Sequence, residues 1–466
     1  MPVTAADPRF RHEVRRTAVL SAPLVAGHLA TGLIGFVDSV IAGRHGTTTL
    51  AAVAVGTALF WLPLMVPMGT LMAVPPSVSQ LDGAGRRAEV GPLFRQALWL
   101  AAALGIGLFG LLTLLTAALG PFGIAPEIVP GATAFLHGIR WGVPALTLYF
   151  CMRYLSDGLH WTLPTMVFGF GGLVVLAPMG YALAFGWGPL PERGAGGLGL
   201  ASALMMWMQA LAFAVYLARA RRFAPYALFT RFDMPHWPTI GSLLRTGLPI
   251  GVTVTMEGSL FVVTALLIGR LGEVQAAAHQ IAINVAALCF MIPFGLAEAT
   301  TVRVGHALGR GLGSAGVRRA GFAGLALVLG TQTVSGALLL LGHDHVVRIY
   351  TQDAAVATLA GTLLLYAAAF QFPDGIQALS AGALRGLKDT RVPMLLAAAA
   401  YWGVGMSLGA GLGLGLGYGP QGMWLGLIAG LTVAAVLLGL RFLRSSARIG
   451  SVRAAPADRS DAHRQP

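Results

Sequence analysis

Four carboxylates stand inside stretches that otherwise hold apolar and small residues: Asp38, Glu257, Glu298 and Asp374. The rest of the 18 Asp and Glu fall in loops, tails or the ends of such stretches. An ionised carboxylate at the centre of a membrane helix costs roughly 2.5–3.5 kcal/mol on insertion scales. A bundle can absorb one such cost; several, in a chain swept of other charge, indicate a use. The chemistry open to them is reversible binding of a cation: a proton, Na+ or an organic ion. Asp38 lies in "GFVDSVIAG" and Glu257 in "TVTMEGSLF". Asp374 follows Pro373 in "FQFPDGIQALSAGALRG". That proline leaves the carbonyl one turn back without its donor, free to help hold a cation. Glu298 has a plainer explanation. It lies five residues before Arg303, near the end of its stretch, and reads as half of an interfacial ion pair.

Other polar residues fit supporting roles. Gln377 stands one helical turn after Asp374 and is placed to support it. Gln280 and Asn284 form a polar patch with His279 in "AAAHQIAIN", read as glue between helices. His28 is ten residues from Asp38, and a packed or pore-lining role is favoured over a proton relay. His279 has no second ligand at metal-binding spacing, and no metal site is expected. Met256, Phe261, Phe290 and Met291 are candidates for a substrate cavity, because flexible and aromatic side chains suit promiscuous binding.

The elements that must carry these residues follow from composition. The chain has 466 residues, 56% hydrophobic and 11% charged; soluble domains carry about 25% charged residues. Apolar stretches of bilayer-spanning length recur throughout, and the short alternating segments of a membrane β-barrel are absent. The expected fold is an all-α polytopic membrane protein with twelve spans: 18–42, 50–77, 93–119, 131–153, 164–187, 196–219, 243–268, 276–302, 319–341, 357–382, 393–416 and 421–443. The polar head "MPVTAADPRFRHEVRR" runs into a full-length span and does not read as a cleaved signal peptide. The spans divide the chain into a cytoplasmic N-terminal arm (1–17), a first lobe (18–220), a cytoplasmic linker (221–242), a second lobe (243–443) and a disordered cytoplasmic tail (444–466).

Of the 31 Lys and Arg, all but Arg44, Arg140, Arg193, Arg270 and Arg348 fall on one side of these spans. The positive-inside rule puts that side, with both termini, in the cytoplasm of a multi-pass inner-membrane protein. The same bias accounts for the net charge of +13 without nucleic acid as a partner. Cys151 and Cys289 lie inside spans and read as small filler.

Residues 21–85 overlie 247–311 at an offset of 226, without a gap. Pro23 meets Pro249, Gly43-Arg44 meets Gly269-Arg270, Ala51-Ala52 meets Ala277-Ala278, Pro67 meets Pro293, Gly69 meets Gly295 and Gly83 meets Gly309. Farther on, "GLHWTLPTM" (158–166) resembles "GLKDTRVPM" (386–394). Each half begins on the same side, so two parallel six-helix bundles around a central cavity are expected, a plan suited to rocking about a shared site. The acids are not duplicated: Asp38 overlies Thr264, and Glu257 overlies Thr31. No phosphate-binding GxxxxGK[ST] loop, Asp-rich prenyl-diphosphate motif, HExxH or GxSxG is present. ATP-driven pumping and enzyme activity are not indicated, and secondary transport remains.

Five segments in order, "FVDSVIAGRHGTTTLAAVAVG", "GLPIGVTVTMEGSLF", "LGEVQAAAHQIAINV", "PFGLAEATTVRVGHALG" and "FQFPDGIQALSAGALRGLKDTRVPM", resemble the multidrug and toxic compound extrusion family. The resemblance is to its bacterial branch with acids in both lobes, and it runs from the first span to the twelfth. It implies twelve helices in two lobes and export of cationic or amphipathic drugs in exchange for H+ or Na+, without another cofactor. It also implies that Asp38 is the first-lobe acid and that Glu257 and Asp374 are a second-lobe pair binding the coupling ion. The fifth span departs from the pattern. It has Leu176 and Gly180 where many relatives have two asparagines, which tilts the expectation toward Glu257 and Asp374. Small organic cations and membrane lipid are the expected partners, and a monomer is expected. The rival reading, a flippase for lipid-linked sugars, would call for a cluster of Arg or Lys within the spans, and none is expected.

Overall fold

The computed structural model describes residues 8–117, 119, 125–187 and 191–450. Among them every regular element is helical. The chain forms α1 (Pro8–His45), α2 (Thr47–Gly83), α3 (Val90–Ala117), α4 (Val129–Ile139 and Val143–Gly158), α5 (Leu163–Phe185) and α6 (Gly194–Arg219). A linker with a short 3₁₀ turn (Arg221–Tyr226) leads to α7 (Trp237–Gly269), α8 (Glu273–Gly309), α9 (Gly313–Tyr350), α10 (Ala354–Gly386), α11 (Arg391–Gly415) and α12 (Gly419–Ala447). The described residues thus form twelve long helical segments.

Eleven of these helices are long and apolar enough to cross a bilayer. The fourth is the exception. The single span expected over 131–153 is two helices joined by the 3₁₀ turn Arg140–Gly142. Pro144 has no N–H to return to the Arg140 carbonyl, so the ladder breaks there. Pro75 and Pro76 break α2 at Met72–Ala73 in the same way. Two expected boundaries also shift. α1 begins at Pro8 inside the expected arm. α12 and a following 3₁₀ turn carry order through Gly450, where a disordered tail was expected from residue 444; residues 451–466 of that tail lie outside the described residues.

The duplication is visible as geometry. α1 packs on α8, and α2 packs on α7. These contacts exchange under the sequence offset that maps α1 on α7 and α2 on α8. Individual residues obey the same exchange. A Cβ on Gly69 would meet the Gly251 backbone, and one on Gly295 would meet Val25. A Cβ on Gly83 would meet the His306 carbonyl, and one on Gly309 the Gln80 carbonyl. In each pair, adding 226 to one contact gives the other. The farther match holds too: His160 and Lys388 occupy equivalent turns, with φ of 60° and 59°.

All these seam contacts lie toward the end that carries the termini. There Leu20, Leu24, Ala299 and Val302 form a small core between the lobes. Arg303 makes a bidentate pair with Glu13 at 2.7 Å, and Gln80 donates to the Gly386 carbonyl at 2.8 Å. Toward the other end contact fades. A Cβ on Gly32 or Gly35 would meet nothing within 4 Å, and Phe36, Leu266 and Leu288 are exposed. The lobes are closed at one end and parted at the other.

Candidate functional site

The second lobe brings two of the sequence-selected acids together. Glu257 comes from α7 and Asp374 from α10. Gln377, one turn beyond Asp374, donates its amide N–H to Glu257 Oε1 at 2.8 Å and approaches Asp374 Oδ1 at 3.5 Å. Its own carbonyl accepts from the Tyr401 hydroxyl on α11 at 2.7 Å. Asp374, Gln377 and Tyr401 are all buried. Pro373 lies inside α10, so the Ala369 carbonyl lacks its usual helical donor beside the pair. Behind the pair, Gln332 of α9 donates to the Gln371 carbonyl at 2.8 Å and fixes α10 from the rear. Two carboxylates joined through one amide make a site that a monovalent cation can complete.

Asp38 stands in a separate first-lobe cavity. It is buried, and Ser202 donates to its Oδ2 at 3.4 Å, while Oδ1 has no partner. Phe60, Trp61, Tyr149 and Phe150 line the cavity, with Arg153 and Gln209. The fifth helix gives Asp38 no polar partner: Leu176 is fully buried, and Gly180 packs against Ile41 and Leu198. The other selected residues disperse. Phe261 packs on Phe370 in the second-lobe core. Phe290 stacks near Phe294, which in turn meets His28. Met256 and Met291 are half-buried on α7 and α8. Gln280 and Asn284 bond to each other at 2.9 Å on an exposed face of α8. His279 accepts from Trp424 at 3.2 Å, joining α8 to α12.

Glu298 overturns its sequence reading. Arg303 is held by Glu13, and Glu298 turns instead across the seam. It meets His28 Nε2 at 2.9 Å and Arg153 Nη2 at 3.2 Å. Arg153 also faces Asp157 at 3.4 Å, and Asp157 accepts from Thr165 at 2.7 Å. All four members of this cluster are buried. Glu298 belongs to the second lobe and its partners to the first, so the cluster is an ion-paired joint across the closed end. Arg385 of α10 is buried as well and lies within electrostatic reach of both Glu298 and Glu257. Arg153, at the end of the expected fourth span, and Arg385, just beyond the expected tenth, are thus basic residues buried in the helical bundle. Their charges sit at the closed end against acids and do not form a cavity cluster. Sequence reasoning missed this joint because Arg153 and Asp157 looked like a span end. The one local signal was their i, i+4 spacing.

The MatE family model matches residues 23–182 and 249–410, one block in each lobe. A probable multidrug resistance protein NorM from Xanthomonas campestris pv. campestris is 68% identical over 445 residues, 96% of this chain and 97% of that protein. The multidrug resistance protein PmpM of Pseudomonas aeruginosa is 43% identical over 446 residues, 94% of this chain and 93% of its own. Among solved structures, the eukaryotic MATE transporter AtDTX14 superposes with a TM-score of 0.84 at 19% identity, covering 94% of this chain and 99% of that one. The outward-facing conformation of a multidrug resistance MATE family transporter of the MOP superfamily gives 0.85 at 18% identity, covering 96% and 99%. At these identities the structural likeness is one of fold.

Proposed function

The chain belongs to the MatE family of multidrug and toxic compound extrusion transporters, and on that footing we propose that it is a multidrug efflux antiporter coupled through Glu257 and Asp374. It is a transporter and not an enzyme. The observation that carries the site assignment is the shared amide: Gln377 ties both carboxylates into one unit, and Tyr401 fixes that amide from a third helix. The flippase reading lacks support, since relatives matching nearly the whole chain bear multidrug resistance names.

The basic residues favour the closed end as the cytoplasmic one, which makes the described state outward-facing. From outside, H+ or Na+ reaches Glu257 and Asp374 and cancels one of the pair's negative charges. A cationic, amphipathic drug then loses its counter-charge and leaves. From the cytoplasm the vacated carboxylates bind the next drug cation. One site cannot serve both ligands well at once, and that competition is the coupling. Exchange of one H+ or Na+ for one monovalent drug moves no net charge. A second ion per drug adds about 2.3 kcal/mol per 100 mV of membrane potential. For the lobes to alternate, the Glu298 joint must form and break once per cycle. Asp38, with one unpartnered oxygen in its own aromatic-lined cavity, supports the reading of a first-lobe acid whose protonation helps switch that lobe.

The test uses purified protein in liposomes loaded with a fluorescent organic cation, challenged by a pH jump and separately by a Na+ pulse. Release by one ion, lost in Glu257→Gln and Asp374→Asn, supports the assignment and names the ion. Full coupled release in both second-lobe variants refutes it.

A further inference from the structure

Beyond the transport site, a second cluster spans the seam at the closed end. Asp82 ends α2 in the first lobe. His160 occupies the turn between α4 and α5 of the same lobe. His306 lies on α8 of the second lobe. One ligand-capable atom from each falls within 4.8 Å of the others. His306 Nδ1 is 3.6 Å from Asp82 Oδ2, and the two imidazoles meet edge to face with centroids 4.6 Å apart. His160 Nε2 and His306 Nδ1 are both buried without a hydrogen-bond partner. An unpartnered buried nitrogen is costly, and here two converge beside one carboxylate oxygen.

We propose that Asp82, His160 and His306 form a site for a divalent transition metal of the Zn2+ class, which clamps the two lobes together when it binds. The donor set suits that class. Two imidazoles and a carboxylate favour Zn2+ over Mg2+ or Ca2+, which take oxygen ligands. Zn–ligand bonds of about 2.1 Å place tetrahedral donors roughly 3.4 Å apart, so atoms now within 4.8 Å of one another need to close by at most about 1.4 Å. Water completes the fourth position.

The surroundings hold the donors in place. The other oxygen of Asp82 accepts from Tyr226 at 3.1 Å and faces Arg87 at 3.5 Å, which leaves Oδ2 for a metal. His160 meets the His306 ring edge to face, and its Nε2 is buried without a hydrogen-bond partner. The nearest guanidiniums have partners of their own: Arg303 is held by Glu13, and Arg222 lies over the Trp161 ring at 4.3 Å. The His160 turn belongs to the duplicated frame, but its counterpart carries Lys388. The site is therefore single and needs both lobes to complete it. When the closed end parts, His306 leaves with the second lobe and the ligand set is lost. Bound metal opposes that parting and halts turnover.

The experiment titrates ZnCl2 into chelator-stripped, full-length protein by calorimetry, for wild type, His306→Ala and His160→Asn. Wild type is expected to bind one Zn2+ equivalent that both variants lack or bind at least about 10- to 100-fold more weakly, the range that even second-shell changes produce. In liposomes, Zn2+ at the saturating concentration should slow efflux of the fluorescent cation by wild type and leave the variants unaffected. The calorimetric arm does not depend on which residues couple the ion, so its failure is distinguishable from failure of the transport assignment. If either variant is misfolded, the other carries the comparison. Equal binding by wild type and variants, or binding that leaves wild-type efflux unchanged, overturns the proposal.

Discussion

Replacing Glu298 with glutamine removes one charge from the buried joint between the lobes and leaves its volume nearly unchanged. Arg153 and His28 then face an amide across the seam. Breaking a buried ion pair from one side costs about 3–5 kcal/mol, because the remaining charge stays desolvated. Asp157 still faces Arg153 at 3.4 Å, which places the effect at the lower end, about 3 kcal/mol. The cost falls only on the state in which the seam is closed. The balance between closed and parted forms of this end therefore moves by about 100-fold, since each 1.4 kcal/mol is a factor of ten. Nitroxide labels at Ala84, beyond α2, and Leu312, beyond α8, flank the closed end; Ala84 is exposed and Leu312 is 49% exposed. Double electron–electron resonance should show one short distance for wild type. Glu298→Gln should add a longer population as the two tips separate. An unchanged distribution in folded, monodisperse Glu298→Gln protein refutes the reasoning: the joint would then be a passive packing contact.

Two further predictions concern support and fit. Tyr401→Phe strips the donor from the Gln377 carbonyl, leaves that oxygen buried and unpaired, and should cost about 1–3 kcal/mol in thermal or denaturant unfolding; wild-type stability would show that Tyr401 does not hold the amide. Gly69→Ala drives a Cβ into the Gly251 backbone and should weaken the closed end by about 1–3 kcal/mol, read with the same nitroxide pair. Gly43→Ala, whose Cβ lies 3.8 Å from Leu50, should leave the distances as in wild type.

The frame was legible in the sequence because duplication leaves marks at fixed spacing. Pro67 and Pro293 bend equivalent helices, and Gly69 and Gly295 sit where backbones meet across the seam. Small residues at such crossings are what close helix packing in a membrane demands. Glu257 and Asp374 were legible for another reason: an acid in an apolar run is conspicuous whatever its partners are. Tyr401 was not, because one tyrosine in an apolar helix looks like any other until its hydroxyl is seen on Gln377. The Glu298 joint was misread because its true partners lie 270 and 145 residues away. Local spacing offered Arg303, and Arg303 had a better partner in Glu13. The Asp82–His160–His306 cluster was invisible for the same reason. Its members share no motif spacing and meet only when the two lobes do.

The fold is duplicated and the chemistry is not, and the structure shows what each arrangement accomplishes. Contacts related by the offset, such as Gly69 on Gly251 and Gly295 on Val25, give the seam equal fit on both sides of its axis. Two lobes can rock on such a seam without favouring one edge. A cation pair repeated in both lobes would divide the ion between two sites. Thr31 and Thr264 instead replace acids at the symmetry-related positions, so the frame carries one such carboxylate pair, in the second lobe. The joint obeys the same division. Glu298 corresponds to Met72 in the first lobe by the offset, so this joint with His28 and Arg153 has one acid at the two related positions, not two. Arg385 lies between that joint and Glu257, within electrostatic reach of both acids. Neutralising Glu257 with a cation therefore changes the field at Arg385 and, through it, the strength of the Glu298 joint. That path gives the ion a physical means to bias which end is closed, and it runs through unduplicated residues carried on a duplicated frame.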